Sequence, residues 1–374
     1  MKNKLVILSF LVLISCQSEN NYQIIGNIQD IPDSTIIDLY MQYENMGVRI
    51  KSDTILNGRF EFSDTLSIRP SKMSLRVRDF ENFSGGCNLW VDYGQIEVTG
   101  TGKYLSGWTV QSDIREQQAL NNILDNSRKL SIQIDSLNLE SAQKRNDRKL
   151  SIKNRALIDS LSALKRKIEF EVIKESYNSR SAVEKLYQFA RFDTTISKVS
   201  IRNIYKKIDT AYTKNLYGEG IMAILNKGEI PEIGDKILDI EAFDIYGEKH
   251  RLSEYLGKYI LLDFWSLACY PCVLAAPELR ELNSEYDNIL TVVGLSVDTN
   301  MQMWMEGTQR DSITWINLSD GKGTFSGAAT KYGVTGLPTY ILINPDGTII
   351  DKWMGFSKGI FKRKLGEHIE SMDD

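Results

Sequence analysis

Histidine is almost missing from this chain. Only His250 and His368 occur in 374 residues, far apart and without a cysteine or carboxylate cluster at ligand spacing. A zinc or haem centre built by this chain alone is not expected, nor is any other metal or cofactor. Cysteine is scarce as well. Cys16, Cys87, Cys269 and Cys272 are too few and too unevenly spread for a scaffold stapled by disulfides. Beyond residue 14 no apolar run approaches the ~18 residues of a membrane-crossing helix. There is no excess of charge, with 45 Lys+Arg against 49 Asp+Glu and a net charge of -4, so nothing points to a nucleic-acid partner. Proline is rare, and none lies between Pro70 and Pro231, which leaves a long stretch free to be helical. The composition, 42% hydrophobic and 25% charged, is that of globular domains, and the length implies two or three of them.

At the N-terminus, Lys2 and Lys4 precede an apolar run from Leu5 to Ile14. A charged start and a short apolar core make a secretory signal. Leu13-Ile14-Ser15-Cys16 resembles the bacterial lipobox, so residues 1–15 are expected to be removed and Cys16 to carry the lipid. Residues 16–21 would then be a lipidated linker, with the protein anchored to a membrane outside the cytoplasm.

Residues 22–112 read as a β-sandwich. Short runs such as YQIIGNI, RFEFSD and KMSLRVRDF are broken by Pro32, Asn57-Gly58, Pro70 and Gly85-Gly86. Asn57-Gly58 signals a hairpin. Cys87 reads as a small packed residue rather than a reactive thiol. Residues 113–228 form an expected helical spacer: Leu130, Ile134 and Leu137, then Leu157, Leu161, Leu164 and Ile168, recur at helical spacing. A polar patch from Gln143 to Arg148 marks the turn between two long helices, and Ser179 or Ser181 is placed to cap a shorter one. Nine Lys/Arg against two Asp fall between residues 142 and 167, read as a solvated helix face. From residue 229 to 374 strands and helices alternate, as in an α/β layered domain. Met301, Met303, Met305 and Trp304 read as core filling.

The chemistry concentrates in LLDFWSLACYPCVLAAP, Leu261 to Pro277. An apolar strand runs into Cys269 and Cys272, three apart at a helix start and close enough to cross-link. Cys269 at the helix end is expected to face solvent. There the helix dipole and free N–H groups hold its thiolate below the ordinary thiol range. Cys272, one turn in, needs a base. Outside the cytoplasm and without a second CxxC or a histidine pair, such a motif is redox rather than zinc-binding.

LDFWSLACYPC, Pro277 and Gly336-Leu337-Pro338-Thr339 together resemble the thioredoxin superfamily. IGDKILDIEAFDIYGEKHRLSEYLGKYILLDFW extends the similarity to its TlpA/ResA-like thiol-disulfide oxidoreductases over residues 230–374. NLWVDYGQIEVTG resembles a β domain of unknown function found ahead of such domains in Gram-negative lipoproteins. The resemblance implies a C-terminal thioredoxin fold. Cys269 would be the attacking thiol, Cys272 the resolving thiol, and the two would form the redox disulfide. Asp263 would be a buried carboxyl exchanging the Cys272 proton, and Pro338 a cis-proline facing the pair. Tyr270, Pro271, Trp265, Gly336, Leu337 and Pro338 would contact substrate. Pro277 would kink the active-site helix, with Phe264 and Trp265 packed beneath it. The sequence departs from the family at Ala268, where tryptophan is usual, at Ala275, where many members have glutamate, and at Tyr270.

Without a histidine in Tyr270-Pro271, and with Pro271 unable to donate an N–H to sulfur, the pair is expected at low potential. That favours a reductase or isomerase of disulfides in exported proteins. The implied partners are such proteins, a membrane thiol electron donor and, through Cys16, the membrane itself. The implied location is the periplasm-facing cell envelope of a Gram-negative bacterium. Two other readings compete: a thiol peroxidase of the peroxiredoxin branch, and a non-enzymatic envelope adaptor.

Overall fold

The structure is a computed structural model, and it describes residues 21–43, 46–66, 68–226, 228 and 230–369. The expected signal segment 1–15, the lipidation site Cys16 and the linker up to residue 20 lie outside them. The chain forms two compact units that meet in sequence between Ser176 and Tyr177.

Unit 1 opens with eight strands: β1 (Asn21–Gln29), β2 (Thr35–Tyr43), β3 (Met46–Ile55), β4 (Arg59–Thr65), β5 (Ser71–Val77), β6 (Cys87–Val91), β7 (Gly94–Thr101) and β8 (Thr109–Gln111). They make two four-stranded sheets, ordered β4-β1-β7-β8 and β3-β2-β5-β6. Alternate residues of β1 are buried, as expected of a strand with one face on a core. Ile24, Ile28, Leu39, Leu75, Val98 and Val110 from both sheets, with Trp108 just before β8, fill one interior, so the expected β-sandwich is present. The Asn57-Gly58 turn has φ of +50° and +74°, the left-handed pair that a two-residue hairpin requires. Its hairpin is short: beyond the Leu56–Arg59 bridge the two strands enter different sheets. Cys87 is buried and its thiol is pushed up to about 12 by burial, so it packs as an apolar residue.

Three helices complete unit 1: α1 (Arg115–Asp125), α2 (Arg128–Gln143) and α3 (Arg148–Glu175). Asp147 caps α3, its carboxylate accepting from the Leu150 N–H at 3.0 Å. The Gln117 side-chain carbonyl of α1 accepts from the Trp90 N–H of β6 at 2.7 Å, which joins helices to sandwich.

Unit 2 begins with α4 (Arg180–Phe192), α5 (Lys198–Tyr205), α6 (Thr210–Thr213) and α7 (Leu216–Asn226). The helices expected as one spacer over 113–228 therefore divide between the units. Helical periodicity reports that a face is apolar but not what it packs on. Here the Tyr187 ring of α4 meets Tyr217 at 5.6 Å and Phe325 at 5.1 Å. A Cβ on Gly220 would stand 2.6 Å from the Tyr187 ring, so only glycine lets α7 approach so closely.

The rest of unit 2 is β9 (Glu241–Phe243), β10 (Lys249–Arg251), β11 (Tyr259–Trp265), α8 (Tyr270–Glu285), β12 (Leu290–Ser296), α9 (Met301–Arg310), β13 (Ile316–Ser319), α10 (Ala328–Lys331), β14 (Thr339–Ile343), β15 (Ile349–Met354) and α11 (Ile360–Gly366). Its sheet runs β10-β9-β13-β12-β11-β14-β15. β11, β12 and β13 are parallel, and β14 and β15 are antiparallel to their neighbours. The central strand β11 is buried on both faces, hence its unbroken apolar run. Ile260, Leu262 and Phe264 point into one core with Tyr332 and Val334. Leu261 points into the other, with Ala275, Ala276 and Leu279 of α8. No helix among the described residues is long and apolar enough to cross a membrane.

Candidate functional site

The strand period of two decides what lies beneath the cysteines. Leu261, Asp263 and Trp265 share the α8 face of β11. Trp265 packs in one cluster with Cys269, Cys272 and Trp304, and the two cysteines are joined by a disulfide with Cα atoms 5.2 Å apart. Asp263 is thus the one charged residue on the strand face that carries the pair. It is buried, and one of its oxygens, Oδ1, has no hydrogen-bond partner among the described residues. Burial, and then the negative charge of Asp311, push its pKa up to about 8.

Cys269 occupies the cap position of α8. Its Sγ accepts from the Cys272 N–H at 3.2 Å, the bond that a serine or aspartate oxygen would make at an ordinary helix start. The same N–H and the helix dipole are placed to stabilise a thiolate there. In the disulfide state Cys269 is only 8% exposed, less open than a helix-end residue was expected to be. Leu337 and Ile245 pack against its cluster. Exposure passes to Tyr270, at 70%, and to Pro271. The helix continues through Pro277.

The Leu337–Pro338 peptide is cis. Pro338 is buried and its carbonyl accepts from the Gly355 N–H at 2.8 Å, while Gly336 and Leu337 are half-buried. Among the described residues none makes a backbone hydrogen bond with Leu337. The structure therefore packs Leu337 against the Cys269–Cys272 cluster, with Asp263 on the strand face it shares with Trp265 and with Tyr270 and Pro271 exposed at the start of α8.

Four expectations need correction. Trp265 is 2% exposed, with its indole N–H given to Asn317 at 3.2 Å, so it supports the pair from below and cannot touch substrate. Phe264 lies on the opposite face, 5.9 Å from the Tyr332 ring, because it is out of step with Trp265 by one residue. The methionines of α9 are not core either: Met301 and Met305 are half-exposed, and Trp304 alone is buried. Nor are the histidines isolated from carboxylates. His250 lies with Asp244 and Glu248, and His368 with Asp351 and Glu367. The strongest contact in the second group is an ion pair from Lys364 to Asp351 at 2.8 Å.

Sequence reasoning missed what holds the segment before Cys269. The Leu267 N–H donates to the buried Asp298 carboxylate at 2.9 Å, and the Leu267 carbonyl accepts from Arg310 at 2.7 Å. Arg310 is itself gripped in two-pronged fashion by Asp311 at 2.7 and 2.9 Å. The one available signal was position: Asp298 follows β12, at the carboxyl end of a parallel strand next to β11, where sites gather. Replacing Asp298 with alanine leaves the Leu267 N–H without its acceptor, a loss of about 1–3 kcal/mol. Thermal melting is expected several degrees lower, and the Cys269 thiol should become easier to alkylate as its loop loosens. A variant matching the wild type in both measurements contradicts this clamp.

Three parallel strands extended by an antiparallel pair, a disulfide at the start of the helix after the central strand, and a cis-proline ahead of the next strand define a thioredoxin-fold thiol-disulfide oxidoreductase. Residues 233–352 match the AhpC/TSA family. The chain is 30% identical over 149 residues to thiol-disulfide oxidoreductase ResA of Bacillus thuringiensis, covering 39% of this chain and 82% of that protein. Against ResA of Bacillus cereus it is 29% identical over 150 residues, again 39% and 82% of the two chains. A solved thiol-disulfide oxidoreductase from Bacteroides fragilis is 29% identical, with 36% of this chain and 98% of that one covered and a TM-score of 0.33. The chain belongs to the ResA-like thiol-disulfide oxidoreductases, through its C-terminal domain.

Proposed function

We propose that this protein reduces or rearranges disulfides in exported proteins, working in the cell envelope of a Gram-negative bacterium from a lipid anchor on Cys16. The observation that carries the reading is the Cys269–Cys272 pair, capped at a helix start above a buried carboxyl of raised pKa. The N-terminal signal pattern supports the location.

In the reduced protein the Cys269 thiolate attacks one sulfur of the substrate disulfide. A mixed disulfide forms, and the first substrate sulfur leaves as a thiolate that takes a proton from water. Cys272 then gives its proton to ionised Asp263 and attacks the Cys269 sulfur. The Cys269–Cys272 bond forms, the second substrate thiolate leaves, and two electrons have passed from protein to substrate. A group with a pKa of about 8 is well matched to a thiol near ~8.5, so the proton transfer is close to balanced. An external dithiol donor restores the reduced state. Tyr270, Pro271, Gly336 and Leu337 would bind the substrate segment, with the free Leu337 backbone pairing to it as a short β-strand.

The test is catalysis of insulin disulfide reduction by dithiothreitol, run beside hydrogen peroxide consumption with the same donor. Insulin reduction well above the uncatalysed rate supports the reading. Peroxide turnover without insulin reduction would replace it with a thiol peroxidase.

A further inference from the structure

The loop that carries Pro338 is held partly by a residue far away in sequence. Arg191 lies near the end of α4, outside the family-matched residues 233–352. Its guanidinium donates to the Val334 carbonyl at 2.9 Å, to the Thr324 carbonyl and to the Tyr187 hydroxyl at 2.7 Å. The Tyr187 hydroxyl in turn donates to Thr324 at 3.1 Å. Arg191 therefore spans two separate turns of chain, one on each side of α10, using donors in fixed planar geometry. Val334 stands three residues before Leu337, within about 11 Å of chain. Its side chain is buried in the core beneath β11, while its backbone borders a groove of about 400 Å³ lined also by Ile196, Ile201, Ile224, Ile230 and Thr335. The Val334 N–H is tied to the Ala329 carbonyl of α10 at 2.8 Å, and Arg191 adds the hold on the Val334 carbonyl, the side of that residue facing Leu337.

We infer that Arg191 is a positioning residue for the cis-proline loop, and that through it α4 tunes the capture of extended protein disulfides at Cys269. The inference rests on the disulfide-exchange reading and adds to it: substrate recognition depends on a helix that precedes the redox domain. A substrate segment pairing with the Leu337 backbone needs that backbone fixed in advance, since ordering it on binding would weaken affinity. Electron transfer within the dithiol does not need this. The hydrogen-bond partners of Arg191 among the described residues are Tyr187, Thr324 and Val334, not Cys269, Cys272 or Asp263.

The experiment compares wild type, Arg191→Gln, Arg191→Lys and Tyr187→Phe in the full chain, with insulin as the protein disulfide. It reads KM and kcat separately, and the dithiol equilibrium with glutathione. For Arg191→Gln the KM for insulin is expected to rise about tenfold, the effect of losing a charged hydrogen bond. Its kcat and the glutathione equilibrium should move less than about twofold. Arg191→Lys keeps the charge but not the fork, and should recover part of the loss. Tyr187→Phe removes one hydroxyl while its ring stays packed on Phe325, and should raise KM by about threefold. It also serves as the test should Arg191→Gln fail to fold. Unchanged KM in the folded variants, or a glutathione equilibrium shifting in step with KM, overturns the inference. A wild-type protein that does not reduce insulin overturns the exchange reading itself, and the inference falls with it.

Discussion

Asp263→Asn is expected to make the oxidised protein more stable at neutral pH and a much slower catalyst. The wild-type carboxyl has a pKa of about 8 in the folded protein, against roughly 3.9 in an unfolded chain. Between those values the folded state holds a proton that the unfolded chain has lost. Stability is therefore fully present below about pH 4, falls as pH rises through this window, and levels off above about pH 8. At ~1.4 kcal/mol per pH unit, the loss by pH 7 is on the order of 4 kcal/mol. Asparagine does not ionise, so the slope should vanish. After the cost of burying an amide with an incomplete set of partners, a gain of roughly 2 kcal/mol remains, which is about 4–8 °C in a unit of this size. Melting of both proteins from pH 4 to 9 checks this. The kinetic effect runs the other way. With no base for the Cys272 proton, resolution of the mixed disulfide should slow by about 100-fold at pH 7, while the first attack by Cys269 is spared. If Asp263→Asn keeps the wild-type pH slope, the buried carboxyl is not the titrating group. If it resolves mixed disulfides at the wild-type rate, the proton goes elsewhere.

The two cysteines should fail in different ways. Cys272→Ser retains the attacking thiol at the head of α8 but cannot close the ring, so it should remain covalently joined to its substrate. Cys269→Ser should form no such adducts, because Cys272 lies one turn inside the helix and lacks the cap position at which the Cys269 sulfur is held by a free N–H. Both variants should lose nearly all turnover, by at least ~1,000-fold, as expected when a covalent nucleophile or its partner is removed. Non-reducing electrophoresis of envelope extract incubated with each reduced variant separates them. Adducts of equal yield from both would contradict the assigned order of attack. A Cys272→Ser variant that captures no protein would contradict a protein substrate.

Much of the site was legible because its parts lie close together in sequence or follow a strict period. The run from Leu261 to Trp265 announced a doubly buried strand, and Cys269 and Cys272 followed it at a helix start. Asp263 stood out as the lone charge in an apolar strand. The same period of two also placed Phe264 on the face away from the pair, so that misreading was avoidable. Asp298, Arg310 and Arg191 were not legible. Each acts on a backbone group 31 to 143 residues away, and a carboxylate or guanidinium in a loop or at a helix end carries no mark of the carbonyl or N–H it will meet. The helices misled for a related reason. The patterns of α1–α3 and α4–α7 look alike, and only their partners assign the first set to the sandwich and the second to the redox domain.

That second set changes what counts as a minimal functional fragment. Phe325 has no exposed surface because the rings of Tyr187 and Tyr217 lie against it at 5.1 and 5.0 Å. A gene trimmed to the family-matched residues would encode a domain with that aromatic wall stripped bare, a sticky patch on its flank. Recombination that moves this oxidoreductase onto another N-terminal module would have to carry the segment from Tyr177 with it. The inheritable redox cassette is therefore longer than the family signature suggests, and its junction lies at the end of α3.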